Sequence, residues 1–165
     1  MSLHAIVEDR PRGGVHAGYL ETLGLVERLH RLLLDVIKDE FERLGQIEIN
    51  AVQALLLFNI GENEVSAGEL KTRGYYQGSN VSYNLKKLVE MGYMHHERCE
   101  VDRRSVRVRL TARGRSVREA VAALFRRHAE MLETRQAIGF GAGDYANAIL
   151  RRLERFWTDQ IRYIY

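Results

Sequence analysis

The sequence predicts a mainly helical α+β fold in which a helix-turn-helix unit and a two-stranded hairpin are flanked by longer helices. Three patterns predict it: apolar residues at three- and four-residue spacing near both ends, a short helix with a polar face after Ser79, and strand-like alternation at residues 106–110. The chain has 165 residues, of which 45% are hydrophobic, so it is long enough to build a core.

The N-terminal part predicts a loose arm followed by a long helix. Pro11, the single proline, lies beside two glycines, so we expect residues 1–16 to form a flexible arm. Apolar residues between Leu23 and Leu44 then recur every three or four positions. This spacing predicts a helix from about residue 17 that ends at Gly45.

Capping residues predict two further helices. Asn50 is a good N-cap and has Gln53 three residues later, which predicts the start of a second helix. Ser66 with Glu69 gives the same pattern for a third helix, which Gly74 would end. The helix that follows is therefore the second member of a helix-turn-helix pair.

That following helix combines an apolar side with polar groups suited to nucleic acid. Val81, Leu85 and Leu88 recur at i, i+4 and i+7 and would seat the helix on a core. Short hydroxyl, amide and ammonium groups occupy its other faces, and a helix of this width fits the major groove of DNA. The alternative is an ordinary solvated face. The candidate DNA contacts on this helix are Ser79, Asn80, Ser82, Tyr83, Lys86 and Lys87.

A basic hairpin follows the helix. We expect Gly92 to end the helix and residues 93–98 to pair with residues 105–110, where apolar residues alternate with Arg107 and a second arginine. The loop between the strands carries Arg103 and Arg104, whose planar heads suit phosphate or the minor groove. Arg103, Arg104 and Arg107 are therefore further candidate DNA contacts.

Positive charge is concentrated in this region. Residues 86–118 contain ten Lys or Arg and four Asp or Glu, a net charge of +6, whereas the whole chain carries +3. The remainder of the chain is therefore acidic. A local excess of positive charge beside a groove-sized helix favours nucleic-acid binding, which total charge alone does not.

These elements resemble the winged helix-turn-helix of the MarR (multiple antibiotic resistance regulator) family. Its most recognisable signature is an Asp-Arg-Arg wing followed by Leu-Thr and the glycine of a helix start. In this sequence the matching residues are Asp102, Arg103, Arg104, Leu110, Thr111 and Gly114. The resemblance implies that the helix from Ser79 enters the major groove and that an arginine of the wing reaches the minor groove.

The resemblance extends more loosely over residues 17–165 and implies a domain organisation. A winged helix-turn-helix DNA-binding domain would occupy residues 48–111. A helical dimerisation module would consist of residues 17–47 and 112–165, because family members flank the winged domain with helices that dimerise.

The C-terminal pattern agrees with a dimer. Thr111 is expected to cap a helix that runs to about Thr134, and a last helix is expected from Asp144 after a glycine-rich break. Apolar residues at helical spacing in that helix, from Ile149 to Ile161, favour packing on a second copy, although they would also suit the chain's own core. A two-fold dimer implies a palindromic double-stranded operator with half-sites roughly 34 to 36 Å apart.

A small aromatic acid or phenol is a candidate effector. The family resemblance implies a ligand crevice between the dimer helices and the winged domain. Its candidate wall residues are Leu33, Ile37, Leu55 and Phe58. The alternative is that these four apolar residues belong to the core.

Catalytic and metal sites have little support. The chain has no glycine-rich phosphate loop, no GxGxxG after a strand and no HExxH, so we expect neither an enzyme nor a cofactor. The strongest alternative is a zinc or copper site formed by His95, His96 and Cys99. Neighbouring residues of a strand point to opposite faces, so the two histidines cannot easily bind one metal together with Cys99. Cys99, the single cysteine, is also a candidate redox sensor.

The leading hypothesis is therefore a homodimeric, sequence-specific transcriptional regulator of the MarR type. The alternative is a winged-helix protein-interaction module without a specific DNA site. The N-terminus carries no long apolar run, so no secretion signal or membrane span is expected and the cytoplasm is the expected location.

Overall fold

The computed structural model describes residues 12–62, 64–66, 69, 78–98, 100–101, 106–135 and 143–164. The described part contains five helices and three short strands. In chain order they are α1 (Arg12–Arg43), α2 (Ala51–Ile60), β1 (Val65–Ser66), α3 (Gly78–Glu90), β2 (Met94–Arg98), β3 (Val106–Leu110), α4 (Ala112–Thr134) and α5 (Gly143–Ile164). The expected mainly helical α+β class is confirmed.

The chain divides into two compact units, residues 1–121 and residues 122–165. The first unit holds α1, α2, α3, the three strands and the first half of α4, and the second holds the end of α4 and α5. Among the helices of the described ranges, none combines the length and apolar character that crossing a bilayer requires.

Helix α1 begins earlier than expected and ends as expected. It starts at Arg12, so residues 12–16 are helical and do not belong to an arm, whereas residues 1–11 lie outside the described residues. At the other end Gly45 has a φ of 70°, and the N–H of Gln46 donates to the carbonyl of Phe41 at 2.9 Å, which is the predicted glycine stop.

A carboxylate of α1 is buried near its C-terminus. Glu40 accepts two hydrogen bonds from Arg43, at 2.9 Å from Nε and 2.8 Å from Nη2. This contact raises the pKa of the Arg43 guanidinium, first through the hydrogen bond and then through the charge of Glu40. The two-point contact stabilises a carboxylate that burial alone would penalise.

Helix α2 contributes a run of buried residues to the core of the first unit. The side chain of Asn50 accepts from the N–H of Gln53 at 2.8 Å, and the Gln53 side chain accepts from the N–H of Asn50 at 3.2 Å, so the predicted capping box is present. Residues 53–57 are all buried, as expected of a helix with apolar residues on every side. Ile37 and Phe41 of α1, which contacts α2, complete this part of the core.

The start of the third predicted helix is also confirmed. The N–H of Ser66 donates to Glu69 and the N–H of Glu69 donates to the Ser66 hydroxyl, both at 3.0 Å. These two hydrogen bonds form the capping box that the sequence indicates. The remainder of that predicted helix, to Gly74, lies outside the described residues.

The strands form one antiparallel sheet in the order β1-β3-β2. The predicted hairpin is confirmed, with Met94 opposite Leu110 and His96 opposite Val108. Strand β1 was not predicted; Val65, which is buried, lies opposite Val108 on the other side of β3. Two residues are too few to show the alternation that identifies a strand.

The second unit contains the last turns of α4 and the whole of α5. Helix α5 begins at Gly143, one residue before the predicted start, and the glycine-rich break before it lies largely outside the described residues. Tyr145, Ile149, Phe156 and Ile161 are exposed along α5. The helix therefore carries an apolar surface that the described part of the chain leaves uncovered.

Candidate nucleic-acid interface

Helix α3 is seated by one side and exposes the other. Leu85 and Leu88 are buried, whereas Ser82, Tyr83 and Lys86 are exposed. Residues three and four apart are neighbours on a helix, so these three form one continuous polar face. Ser79 and Asn80 lie in the first turn of α3, and their side chains lie outside the described part of the structure.

The two lysines of α3 share one carboxylate. The Nζ of Lys86 lies 4.0 Å from Oε1 of Glu90, and the Nζ of Lys87 lies 3.4 Å from Oε2 of the same residue. Lys86 is the more exposed of the two, with 77% of its side chain accessible against 44% for Lys87. The cationic end of α3 is thus an ion-pair cluster on the surface.

The sheet separates apolar and cationic residues by face. Val108 and Leu110 of β3 are buried, and Arg107 and Arg109, which alternate with them along the strand, are exposed on the opposite face. Arg107 lies 4.0 Å from Glu64, and the Nη2 of Arg109 lies 3.4 Å from Glu97 across the hairpin. Arg103 and Arg104, predicted at the hairpin tip, lie outside the described residues, so their role remains a prediction.

An apolar cavity lies between α3 and the sheet. Its volume is about 390 Å³, and its lining includes Leu85 and Val89 of α3 and Val106 and Val108 of β3. Helix α3 therefore faces the valine side of β3. Arg107 alternates with these valines and therefore lies on the face of the sheet directed away from α3. Arg107 is thus separated from the polar face of α3, a separation that spacing in the sequence does not reveal.

The turn after α3 is tied to the start of α4 by several contacts, which we call the α3–α4 clamp. Gly92, with a φ of 81°, ends α3, and its carbonyl accepts from the Thr111 hydroxyl at 2.7 Å. The Thr111 N–H donates to the carbonyl of Tyr93 at 3.1 Å. The Thr111 hydroxyl also caps α4, since it accepts from the N–H of Gly114 at 3.1 Å.

Arg113 extends the clamp. Its Nη1 donates to the carbonyl of Met91 at 2.8 Å, its Nη2 contacts Glu48 at 2.7 Å, and its guanidinium lies 4.4 Å from the ring centre of Tyr93. Gly114 is packed against the same turn, because a Cβ there would overlap the Tyr93 carbonyl oxygen. The end of the polar helix is therefore fixed to the first turn of α4.

Comparison with known proteins identifies the family. A family model described as a winged helix DNA-binding domain matches residues 49–114. The exopolysaccharide II synthesis transcriptional activator ExpG of Rhizobium meliloti (strain 1021) is 36% identical over 162 residues, which cover 95% of this chain and 80% of that protein. The chain belongs to the MarR family of winged-helix transcriptional regulators.

Solved MarR-type structures share the fold. A MarR transcriptional regulator from Methanosarcina mazei Go1 superposes with a TM-score of 0.66 at 22% identity, covering 84% of this chain and 98% of that one. FabT of Streptococcus pneumoniae, solved in complex with DNA, gives a TM-score of 0.64 at 20% identity and covers 86% and 98%. In this MarR-family chain the threonine and the glycine of the signature, Thr111 and Gly114, are clamp residues, and their contacts give that part of the signature a structural role.

The fold brings distant acids to the basic segment of this MarR-family chain. Glu48, Glu62 and Glu64 all precede the segment, yet they pair with Arg113, Arg118 and Arg107, respectively. The charge count over residues 86–118 does not include these three glutamates, because they lie earlier in the chain. The local charge excess is therefore smaller in the folded protein than in residues 86–118 taken alone.

The four predicted ligand-wall residues do not form an open wall. Ile37 and Leu55 are buried in the core of the first unit, whereas Leu33 and Phe58 are half-buried. A cavity of about 370 Å³ at the junction of α1 and α2 is lined by other residues, among them Phe41. For Ile37 and Leu55 the structure agrees with the core alternative.

The alternative metal site is incomplete in the described chain. His95 and His96 are exposed on β2, and Cys99 lies outside the described residues. Among the residues that the structure describes, no group of three His, Cys, Asp or Glu side chains is close enough to hold a metal ion. The role of Cys99 remains a prediction.

Proposed function

We propose that this MarR-family chain is a homodimeric, sequence-specific DNA-binding transcriptional regulator that inserts α3 into the major groove of a palindromic operator. The exposed polar face of α3, formed by Ser82, Tyr83 and Lys86 above the buried Leu85 and Leu88, carries the proposal. Hydroxyl groups donate to or accept from base edges, and ammonium groups bind guanine or phosphate. FabT of Streptococcus pneumoniae, which shares this fold, was solved in complex with DNA, and this supports DNA as the partner.

The wing contributes the second contact in this proposal. Arg103 and Arg104 would enter the minor groove, where guanidinium groups are attracted by the negative potential of narrow sequences. Arg107 and Arg109 would contact phosphates, which position the protein without reading bases. Because Arg107 lies on the face directed away from α3, we assign it no role in base recognition.

Dimerisation is supported by uncovered apolar surface on two helices. On α1, Leu25, Leu29 and Leu32 are exposed at i, i+4 and i+7. On α5, Ile149 and Phe156 are exposed as well. Apolar stripes of this length are rare on monomeric proteins, and a second copy of the chain would cover them.

The most detailed part of the proposal is control of DNA binding by a small aromatic acid. Leu33 and Phe58 are the two predicted wall residues that are only half-buried, so a ligand would enter beside them. It would act by binding one arrangement of the two α3 helices better than the other. A series of aromatic acids that leaves operator affinity unchanged at saturating concentration would contradict this part.

Selection of random duplex DNA by the purified protein tests the function. We expect enrichment of a palindrome whose half-sites are about ten base pairs apart. Fluorescence anisotropy should then show that Lys86→Ala weakens binding to this operator. Lys38→Ala should not, although Lys38 of α1 forms a comparable pair with Glu42 at 3.7 Å.

The outcomes separate the candidate functions. Equal losses for Lys86→Ala and Lys38→Ala would show that only total charge matters. Binding that is sensitive to salt but blind to sequence would contradict specific regulation. No DNA affinity under any condition would favour the protein-interaction module.

A further inference from the structure

Glu90, the last residue of α3, contacts both lysines of the proposed DNA-reading helix. Its two carboxylate oxygens lie 4.0 Å from Lys86 and 3.4 Å from Lys87. About half of its side chain is exposed, so it would remain near the surface when α3 approaches DNA. One carboxylate thus engages two cations that phosphate would otherwise attract.

Helix stability does not account for a glutamate at this position. The C-terminus of a helix carries a partial negative charge, so an acidic last residue is unfavourable there. The i,i+4 order Lys86 to Glu90 is also the weaker orientation, because pairs with the glutamate first are more stabilising. The pairs are exposed, so each contributes little to folding.

We infer that Glu90 lowers the affinity of α3 for DNA phosphates by holding Lys86 and Lys87 in the free protein. The inference rests on the proposed DNA-binding function. DNA must displace the carboxylate from at least one lysine before that lysine binds phosphate. Glu90 thereby restrains sequence-independent binding, while base contacts by Ser82 and Tyr83 are unaffected.

The size of the effect follows from counterion release. If Glu90→Gln frees about one cation for phosphate, the slope of log Kobs against log salt steepens by about 0.9. Affinity at about 0.1 M salt would then rise roughly eightfold for any duplex, taking equal affinities at about 1 M salt as the reference. Binding to random DNA should rise at least as much as binding to the operator, so the specificity ratio does not increase.

The experiment compares the salt dependence of DNA binding for the wild type, Glu90→Gln and Glu42→Gln. Glu42 is a matched control, because it pairs with Lys38 at i,i+4 near the end of α1 and its loss changes the net charge equally. Each protein is titrated against the selected operator and a random duplex. A thermal melt of each variant checks that the fold is retained.

We expect a steeper slope and tighter binding for Glu90→Gln alone, and loss of that gain when Lys86 and Lys87 are also replaced by Gln. A wild type that binds its operator with the same slope as Glu90→Gln would overturn this inference and leave the proposed function standing. An equal gain in Glu42→Gln would overturn it too, because total charge would then be the cause. A wild type without DNA affinity would overturn both.

Discussion

Replacing Gly114 with alanine tests whether the α3–α4 clamp is as tight as the structure indicates. Gly114 is the third residue of α4, and an added methyl group would overlap the carbonyl oxygen of Tyr93 and lie 3.4 Å from the Cβ of Leu110. A backbone oxygen cannot rotate away as a side chain can. The turn at residues 91–93 or the first turn of α4 must therefore shift.

Two opposing effects set the magnitude for Gly114→Ala. Alanine is favoured over glycine within a helix by about 0.5 to 1 kcal/mol. Overpacking costs about 1 to 3 kcal/mol. Moving the Tyr93 carbonyl also weakens its hydrogen bond from Thr111, for about 1 kcal/mol more. The free energy of unfolding should therefore fall by about 1 to 3 kcal/mol in total.

Urea denaturation at constant protein concentration measures this change. Gly24→Ala in α1 is the matched control, because Gly24 is also helical and a Cβ there would meet no atom within 4 Å. The control should be neutral or more stable than the wild type by up to about 1 kcal/mol. If Gly114→Ala changed the free energy of unfolding no more than Gly24→Ala does, helix propensity would outweigh the steric overlap. The turn at residues 91–93 would then be able to move without cost, and the clamp would not be tight.

Three further variants extend these tests. Thr111→Ala should lower the free energy of unfolding by about 1 to 2 kcal/mol, because it removes the cap of α4 and the contact with Gly92; Thr111→Ser should retain most of the stability. Asn50→Ala should cost about 1 kcal/mol in the same assay by removing the cap of α2, and an unchanged midpoint would argue against that cap. Leu29→Glu should shift sedimentation from dimer to monomer, whereas Ile47→Glu, at an exposed loop position, should not.

Local signals in the sequence were sufficient to predict most helix ends. Gly45 and Gly92 adopt the positive φ that favours glycine, and Asn50, Ser66 and Thr111 form the capping contacts that their sequence positions indicate. Each of these features involves residues only a few positions apart. Short-range chemistry of this kind is visible in sequence without knowledge of the fold.

Long-range features escaped prediction. Strand β1 has two residues, and its partner β3 follows some forty residues later, so no periodicity marks it. The pairing of Glu48 with Arg113 likewise depends on how the loop after α1 meets the start of α4. Apolar spacing also cannot separate a ligand wall from a core, and Ile37 proved to be a core residue.

The position of the candidate site was predicted more fully than its geometry. The polar residues of α3 were identified from the spacing of Val81, Leu85 and Leu88, and the structure exposes Ser82, Tyr83 and Lys86. The sharing of Glu90 by two lysines went unnoticed, because counting charges along the chain does not report which groups meet. Interatomic distances supply that information.

The α3–α4 clamp has a consequence for how such a protein acquires new operators. It holds the end of α3 through backbone carbonyls at residues 91–93, which substitutions on the exposed side of α3 leave intact. Ser82, Tyr83 and Lys86 can thus be exchanged while the angle at which the helix leaves its turn stays the same. In the proposed DNA-binding mode, base preference can therefore be changed one side chain at a time while the docking of α3 is retained.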